Sequence, residues 1–144
     1  MQLRNLLEGK GFQRIVLRKM TTGHYTCRVK LNAKKGVFII DTGASSSCVG
    51  FEHAGIFNLT QQQSDVIAAG AGDSNMKTAL ALNNVLELEG YLTKNISFVL
   101  FDLSHVNIAI SKVDPTIVHG ILGADYLKKH NAVIDYGRNC MYLK

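Results

Sequence analysis

The segment Val37-Phe38-Ile39-Ile40-Asp41-Thr42-Gly43-Ala44-Ser45 constrains this chain more than any other. Four residues suited to a buried strand lead straight into a single carboxylate. Gly43 then permits a turn that residues with a Cβ resist. A carboxylate at the end of a buried strand is costly unless it is hydrogen-bonded or shares a proton. Such a group is a candidate for chemistry rather than for packing.

The rest of the chain gives that segment a scaffold. Its 144 residues make one expected domain over 1–144. A chain of this size buries roughly two-thirds of its unfolded surface. Hydrophobic content of 47% against 19% charged residues places it among globular chains rather than disordered ones. Residues 1–11 are expected to be peripheral or flexible: Leu3, Leu6 and Leu7 share a helical face, but Gly9 and Gly11 limit its length. No stretch has the length of a membrane span, and the N-terminus has no continuous apolar core of a secretory signal. The cysteines Cys27, Cys48 and Cys140 are odd in number and form no C-x-x-C pair. Reduced structural thiols and a cytoplasmic location are therefore expected. The net charge of +5 comes from dispersed basic residues, not interleaved with aromatics, and is read as a solvated surface. Neither a nucleic-acid nor a membrane partner is expected.

Most of the chain reads as short strands between turn signals. Strands are expected within 12–20, over Tyr25–Leu31 with Tyr25, Cys27, Val29 and Leu31 on one face, and over Val37–Ile40 after a turn at 32–36. Residues 51–57 read as a helical turn. The cluster Gly70-Ala71-Gly72-Asp73 reads as the pliable tip of a hairpin. Further strands are expected over Ala79–Leu88 and Ile96–Leu103, with Glu89-Gly90 between them. A short helix is expected from Ala124 to His130, and a strand–turn–strand from Ala132 to Lys144. Many short strands and one short C-terminal helix point to an all-β barrel or sandwich.

Asp-Thr-Gly alone is a weak signal. Here it follows a buried strand, is followed by Ala44-Ser45, and is joined downstream by Ile121-Leu122-Gly123 at the head of a short helix. In this combination the chain resembles the retropepsin-like, or retroviral-type, aspartic proteases from about Tyr25 to Tyr136. The run Ile121-Leu122-Gly123-Ala124-Asp125-Tyr126-Leu127-Lys128-Lys129-His130 is more similar to cellular and bacterial members than to viral ones. The resemblance implies an acid-protease barrel acting as a symmetric homodimer. It implies catalytic residues Asp41, Thr42 and Gly43, and an extended peptide or protein as substrate. Substrate would meet Ala44, the flap residues Ala69, Gly70, Ala71 and Gly72, and the wall residues His119 and Ile121. Thr42 would hydrogen-bond across the two-fold axis.

One Asp-Thr-Gly per chain supplies half of a two-carboxylate site, so a second copy is expected to complete it. The chain departs from the viral pattern at Ser45 and Ala124, where viral members carry an acid and an arginine as an ion pair. No H-E-x-x-H or other metal spacing and no G-x-S-x-G elbow is present, and no cofactor is expected. The similarity of Asp41 and its small neighbours to the phosphate loop of actin-like sugar kinases fails on size, since those folds need two large α/β domains. A retropepsin-like module that binds peptide or dimerises without cutting remains the alternative.

Overall fold

The computed structural model describes residues 1–63 and 77–144. The expected flap, with Ala69, Gly70, Ala71 and Gly72, lies outside the described residues. Helix α1 (Leu3–Gly9) leads into β1 (Gln13–Val16), β2 (Arg18–Lys19), β3 (Tyr25–Leu31), β4 (Lys34–Ile40), β5 (Cys48–Gly50) and β6 (Gln61–Gln63). Then come β7 (Ala79–Leu88), β8 (Tyr91–Phe101), α2 (Ser104–Ser111), β9 (Gly120–Leu122), α3 (Ala124–Lys129), β10 (Val133–Asp135) and β11 (Cys140–Leu143).

The larger sheet runs β2-β3-β4-β9-β5-β8-β7-β6, and a second pairing of β3 with β7 closes it into a barrel. The smaller sheet, β1-β11-β10, joins the two ends of the chain. The all-β architecture expected from the sequence is the one found. The central strand β4 lies antiparallel to β3 and parallel to β9, which pairs Ile39 with Ile121 and Ile40 with Leu122. A strand flanked on both sides and covered on both faces reads as an unbroken apolar run, and this is why Val37–Ile40 does not alternate.

The barrel is filled by side chains. Phe38 sits edge-on to Phe57 and Phe98, with centroids 6.5 and 5.8 Å apart, and all three are fully buried. Gly120 has no substitute in this packing: a Cβ there would collide with the Cys48 carbonyl oxygen and come within 2.7 Å of the Phe38 ring.

Turn chemistry sets the strand register. The β3–β4 hairpin is tighter than the five-residue turn expected from the sequence. Only Asn32 and Ala33 bridge it, at φ 50° and 69°, the left-handed pair that a two-residue hairpin needs. The Asn32 amide then works as a strut: it donates to the Phe57 carbonyl at 2.8 Å and accepts the Val85 N–H at 2.9 Å. Glu89 and Gly90 turn β7 into β8 in the same left-handed manner, as expected.

The single C-terminal helix expected from the sequence is α3, but three α-helices occur among the described residues. Helix α1 tucks Leu7 against Cys140 and Tyr142. Helix α2 was not expected. Its Val106, Ile108 and Ile110 alternate like a strand and are β-branched, so local preference argues against a helix. Tertiary contacts decide otherwise. The Asn107 amide donates to the Val118 carbonyl at 2.9 Å and accepts the Val118 N–H at 2.8 Å. Ile110 is buried with Met20, Ile39 and Val118. Asp102 accepts the Ser104 N–H at 2.8 Å at the start of the helix, and hydrogen bonds from the Ser104 hydroxyl first and its N–H second hold the Asp102 carboxyl below its ordinary pKa.

Candidate active site

The ladder between β4 and β9 continues one residue past the end of β4. The Asp41 N–H donates to the Leu122 carbonyl at 3.0 Å, so the strand delivers Asp41 to the head of α3. The chain then turns tightly. The Asp41 carbonyl accepts the Ala44 N–H at 3.2 Å, and the Asp41 Oδ1 accepts the Gly43 N–H at 2.9 Å. One carboxylate oxygen is thus fixed by backbone, leaving the other side of the group open.

Asp41, Thr42 and Gly43 are all exposed. The cost of burying a lone carboxylate, anticipated from the strand that carries it, is therefore not incurred in this chain: the strand is buried and the residue that follows it emerges at the surface. Among the described residues the Thr42 hydroxyl has no hydrogen-bond partner. Thr42 also edges an apolar pocket of about 240 Å³, shared with Leu127, Ala132 and Ile134.

The turn rests on the junction of β9 and α3. The Ala124 N–H donates to the Ala44 carbonyl at 2.7 Å. Gly123 lies so close beneath that a Cβ would sit 2.5 Å from the Ala44 oxygen and 3.1 Å from the Ser46 backbone. Ile121 pairs with Ile39, two residues before Asp41, so both isoleucines stand on the face of the sheet from which Asp41 projects. They meet Val106 and Ile110 of α2 there.

His119 is placed elsewhere. It lies immediately before β9, beside Val37 rather than beside Asp41. Its Nδ1 accepts the Val37 N–H at 3.0 Å, and its backbone N–H donates to the Val37 carbonyl at 2.8 Å. The ring packs edge-on against His53 and Phe57, at 4.7 and 5.5 Å. Burial, and then the nearby His53, hold its pKa below the ordinary 6.5. Of the sequence-expected residues, the fold therefore brings together Asp41, Thr42, Gly43, Ala44 and Ile121, and sets His119 at the other end of the β4–β9 seam.

Two polar residues not singled out in the sequence for this site also belong to it. Ser47, only 1% exposed, donates its hydroxyl to Asp125 Oδ1 at 2.7 Å and accepts the Gly123 N–H at 2.9 Å. Asp125 also accepts the Ser47 N–H at 2.9 Å. The two residues are 78 positions apart; Asp125 falls within the run from Ile121 to His130 that carries the resemblance, and Ser47 follows the turn with no motif of its own.

Competing chemistry finds little here. Burial pushes the Cys48 thiol up to about 12, with the charges of Asp125 and Asp41 adding to the rise, so it stays protonated and inert as a nucleophile. Cys27 is likewise buried and pushed up to about 12. Among the described residues no group of three His, Cys, Asp or Glu side chains could hold a metal ion.

Residues 27–126 match a family model described as aspartyl protease, and that span runs from β3 through the turn at Asp41 to α3. The chain belongs to the aspartyl protease family. Solved structures similar to this aspartyl protease share its fold. A retropepsin-like aspartic protease from Rickettsia conorii aligns with TM-score 0.58 and 20% identity, over 92% of this chain and 89% of that one. The EIAV protease, solved with the inhibitor HBY-793, aligns with TM-score 0.57 and 21% identity, over 76% of this chain and 90% of that one. The retroviral protease-like domain of Ddi1 from Leishmania major aligns with TM-score 0.58 and 16% identity, over 83% of this chain and 86% of that one. No curated protein sequence matches the chain. No helix among the described residues is long and apolar enough to cross a membrane.

Proposed function

We propose that this aspartyl protease is a homodimeric endopeptidase in which two Asp41 carboxylates, one from each protomer, activate water against a peptide bond. The observation that carries the reading is the setting of Asp41. It is an exposed carboxylate, pinned by the Gly43 N–H at the end of a buried strand, and present once per chain. One carboxylate can serve as base or as acid, and hydrolysis of an amide needs both. Two carboxylates within a few ångströms share one proton, because both cannot ionise cheaply.

In that site the ionised Asp41 takes a proton from water as the oxygen bonds to the carbonyl carbon. The protonated Asp41 of the partner subunit hydrogen-bonds the carbonyl oxygen. Collapse of the tetrahedral adduct breaks the C–N bond, and the nitrogen leaves as an amine after taking up a proton from the pair. The free Thr42 hydroxyl bonds across the axis, and the apolar pocket beside it faces the second protomer. Ile121, with Ile39 and Val106, forms an apolar wall for a side chain of an extended substrate. Ala44 and the segment with Ala69, Gly70, Ala71 and Gly72 bind its backbone. His119 enters this proposal as a brace for the β4–β9 seam that carries the wall. The whole chain, 1–144, acts as one domain.

The test is Asp41→Asn. The variant should fold and sediment as the parent does, yet release no new termini from a peptide library read by mass spectrometry from acid to neutral pH. Equal cleavage by variant and parent would sink the mechanism. A dimer that binds peptides while neither form cuts would establish a non-catalytic peptide-binding module instead.

A further inference from the structure

We propose that Ser47 and Asp125 form a positioning pair that holds the Asp41 turn in register on the β9–α3 junction. The proposal rests on the peptidase reading and adds to it two residues acting through others.

The turn is fastened to the junction at both ends and in the middle. At its start, the Asp41 N–H reaches the Leu122 carbonyl at 3.0 Å. In the middle, the Ala44 carbonyl takes the Ala124 N–H at 2.7 Å. At its end, Ser47 takes the Gly123 N–H on its hydroxyl oxygen at 2.9 Å. Three successive residues of the junction therefore each hold one point of the loop. Two of these fastenings are backbone to backbone and survive most substitutions. The third depends on a side chain.

That side chain is itself oriented. A hydroxyl has one hydrogen, and Ser47 gives it to Asp125 Oδ1 at 2.7 Å, which leaves a lone pair for Gly123. The carboxylate also takes the Ser47 N–H, at 2.9 Å to Oδ1 and 3.0 Å to Oδ2. It accepts the Tyr126 N–H at 2.8 Å as well. An ionised carboxylate, which only accepts, suits this set of donors. Ser47 is buried, so its hydroxyl would have no water to replace a lost partner.

The experiment is steady-state cleavage by the full chain, with a peptide that the parent cuts, at concentrations where parent and variants show the same association state. Ser47→Ala and Asp125→Ala should each lower kcat by roughly tenfold or more with KM little changed, because a small misplacement of the reacting group is felt in the chemical step. Asp125→Asn, which keeps an acceptor oxygen without the charge, should fall between parent and Asp125→Ala. The double variant Ser47→Ala/Asp125→Ala should be about as slow as either single one, since the two residues act as one unit. Amide exchange at Gly123 and Ala124 should quicken in Ser47→Ala. Should Ser47→Ala not fold, the Asp125 series carries the same test. A parental kcat in the variants, a loss confined to KM, or additive losses would overturn the proposal while leaving the peptidase reading intact. A parent that cuts no peptide would overturn both.

Discussion

Gly123 lies directly beneath Ala44, so closely that a Cβ on the glycine would sit 2.5 Å from the Ala44 carbonyl oxygen. The backbone of Gly123, at φ −101° and ψ −170°, is one that any residue adopts. The glycine is required by space and not by conformation. Gly123→Ala must push the Asp41 turn outward or break the Ala44–Ala124 hydrogen bond. Overpacking of this kind costs about 1–3 kcal/mol. Urea unfolding should show that loss, and cleavage should fall by more than stability does. A variant with parental turnover would show that the turn tolerates displacement.

Asn107 ties α2 to the segment leading into β9 through both the N–H and the C=O of Val118. Val118 is fully buried, so Asn107→Ala leaves two backbone groups without partners. The expected cost is about 1–3 kcal/mol. It should appear as a lower urea midpoint with an unchanged m-value. An unchanged midpoint would mean that α2 is held by its apolar face alone.

Ala33 occupies a left-handed position, φ 69°, in the two-residue hairpin between β3 and β4. A Cβ is strained there, and the side chain is exposed, so no packing is lost with it. Ala33→Gly should stabilise the protein by up to about 1 kcal/mol. Thermal and urea midpoints should both rise, and a fall in either would count against the turn geometry.

His119 links stability to pH. Its folded pKa lies below the ordinary 6.5, from burial first and the neighbouring His53 second, and the Val37 N–H needs an unprotonated Nδ1. His130 is also lowered, by burial and then by Lys129. In both cases the unfolded chain takes up the proton at higher pH than the folded one. Their contribution is complete above 6.5 and is lost as pH falls from there through the folded pKa. Urea midpoints measured from about pH 8 down to about pH 5 should therefore decline on the acid side. His119→Gln should flatten that decline, and an equal slope in parent and variant would remove His119 as its source.

Asp41-Thr42-Gly43 and Ile121-Leu122-Gly123 were legible as sequence because each is a contiguous pattern with a local physical meaning. Both are an apolar strand ending at a glycine: Gly123 is needed for space, whereas Gly43 has no left-handed φ and a Cβ on it would meet the Asp41 Oδ1 at 3.3 Å. Strands β3, β4, β7, β10 and β11 were legible for the same reason, as was the Glu89-Gly90 turn, whereas β5 was not anticipated and β8 begins at Tyr91 rather than Ile96. Ser47 and Asp125 carry no such local mark. A serine after a small-residue turn and an acid in a first helical turn each have an ordinary explanation, and their pairing exists only because β5 and α3 meet. Helix α2 was illegible because its residues prefer a strand, and the contacts of Asn107 with Val118 and of Ile110 with Met20, Ile39 and Val118, all outside the segment, overrule that preference. The resemblance implied His119 as a wall residue, and only the structure shows its ring against Val37, His53 and Phe57.

What the chain determines alone is thus most of the barrel's strands, the buried β4 segment that leads into Asp41, and a single Asp-Thr-Gly in the sequence. Side-chain periodicity and glycine placement are enough for that, since both act over a few residues. Tertiary structure decided that Asp41 emerges at the surface and that Gly123 lies under Ala44. It also decided that Ser47, at the end of the turn, meets Asp125 in the first turn of α3. Those facts depend on hydrogen bonds and steric contacts between residues some 80 positions apart, which exist only once the parallel pairing of β4 with β9 has formed.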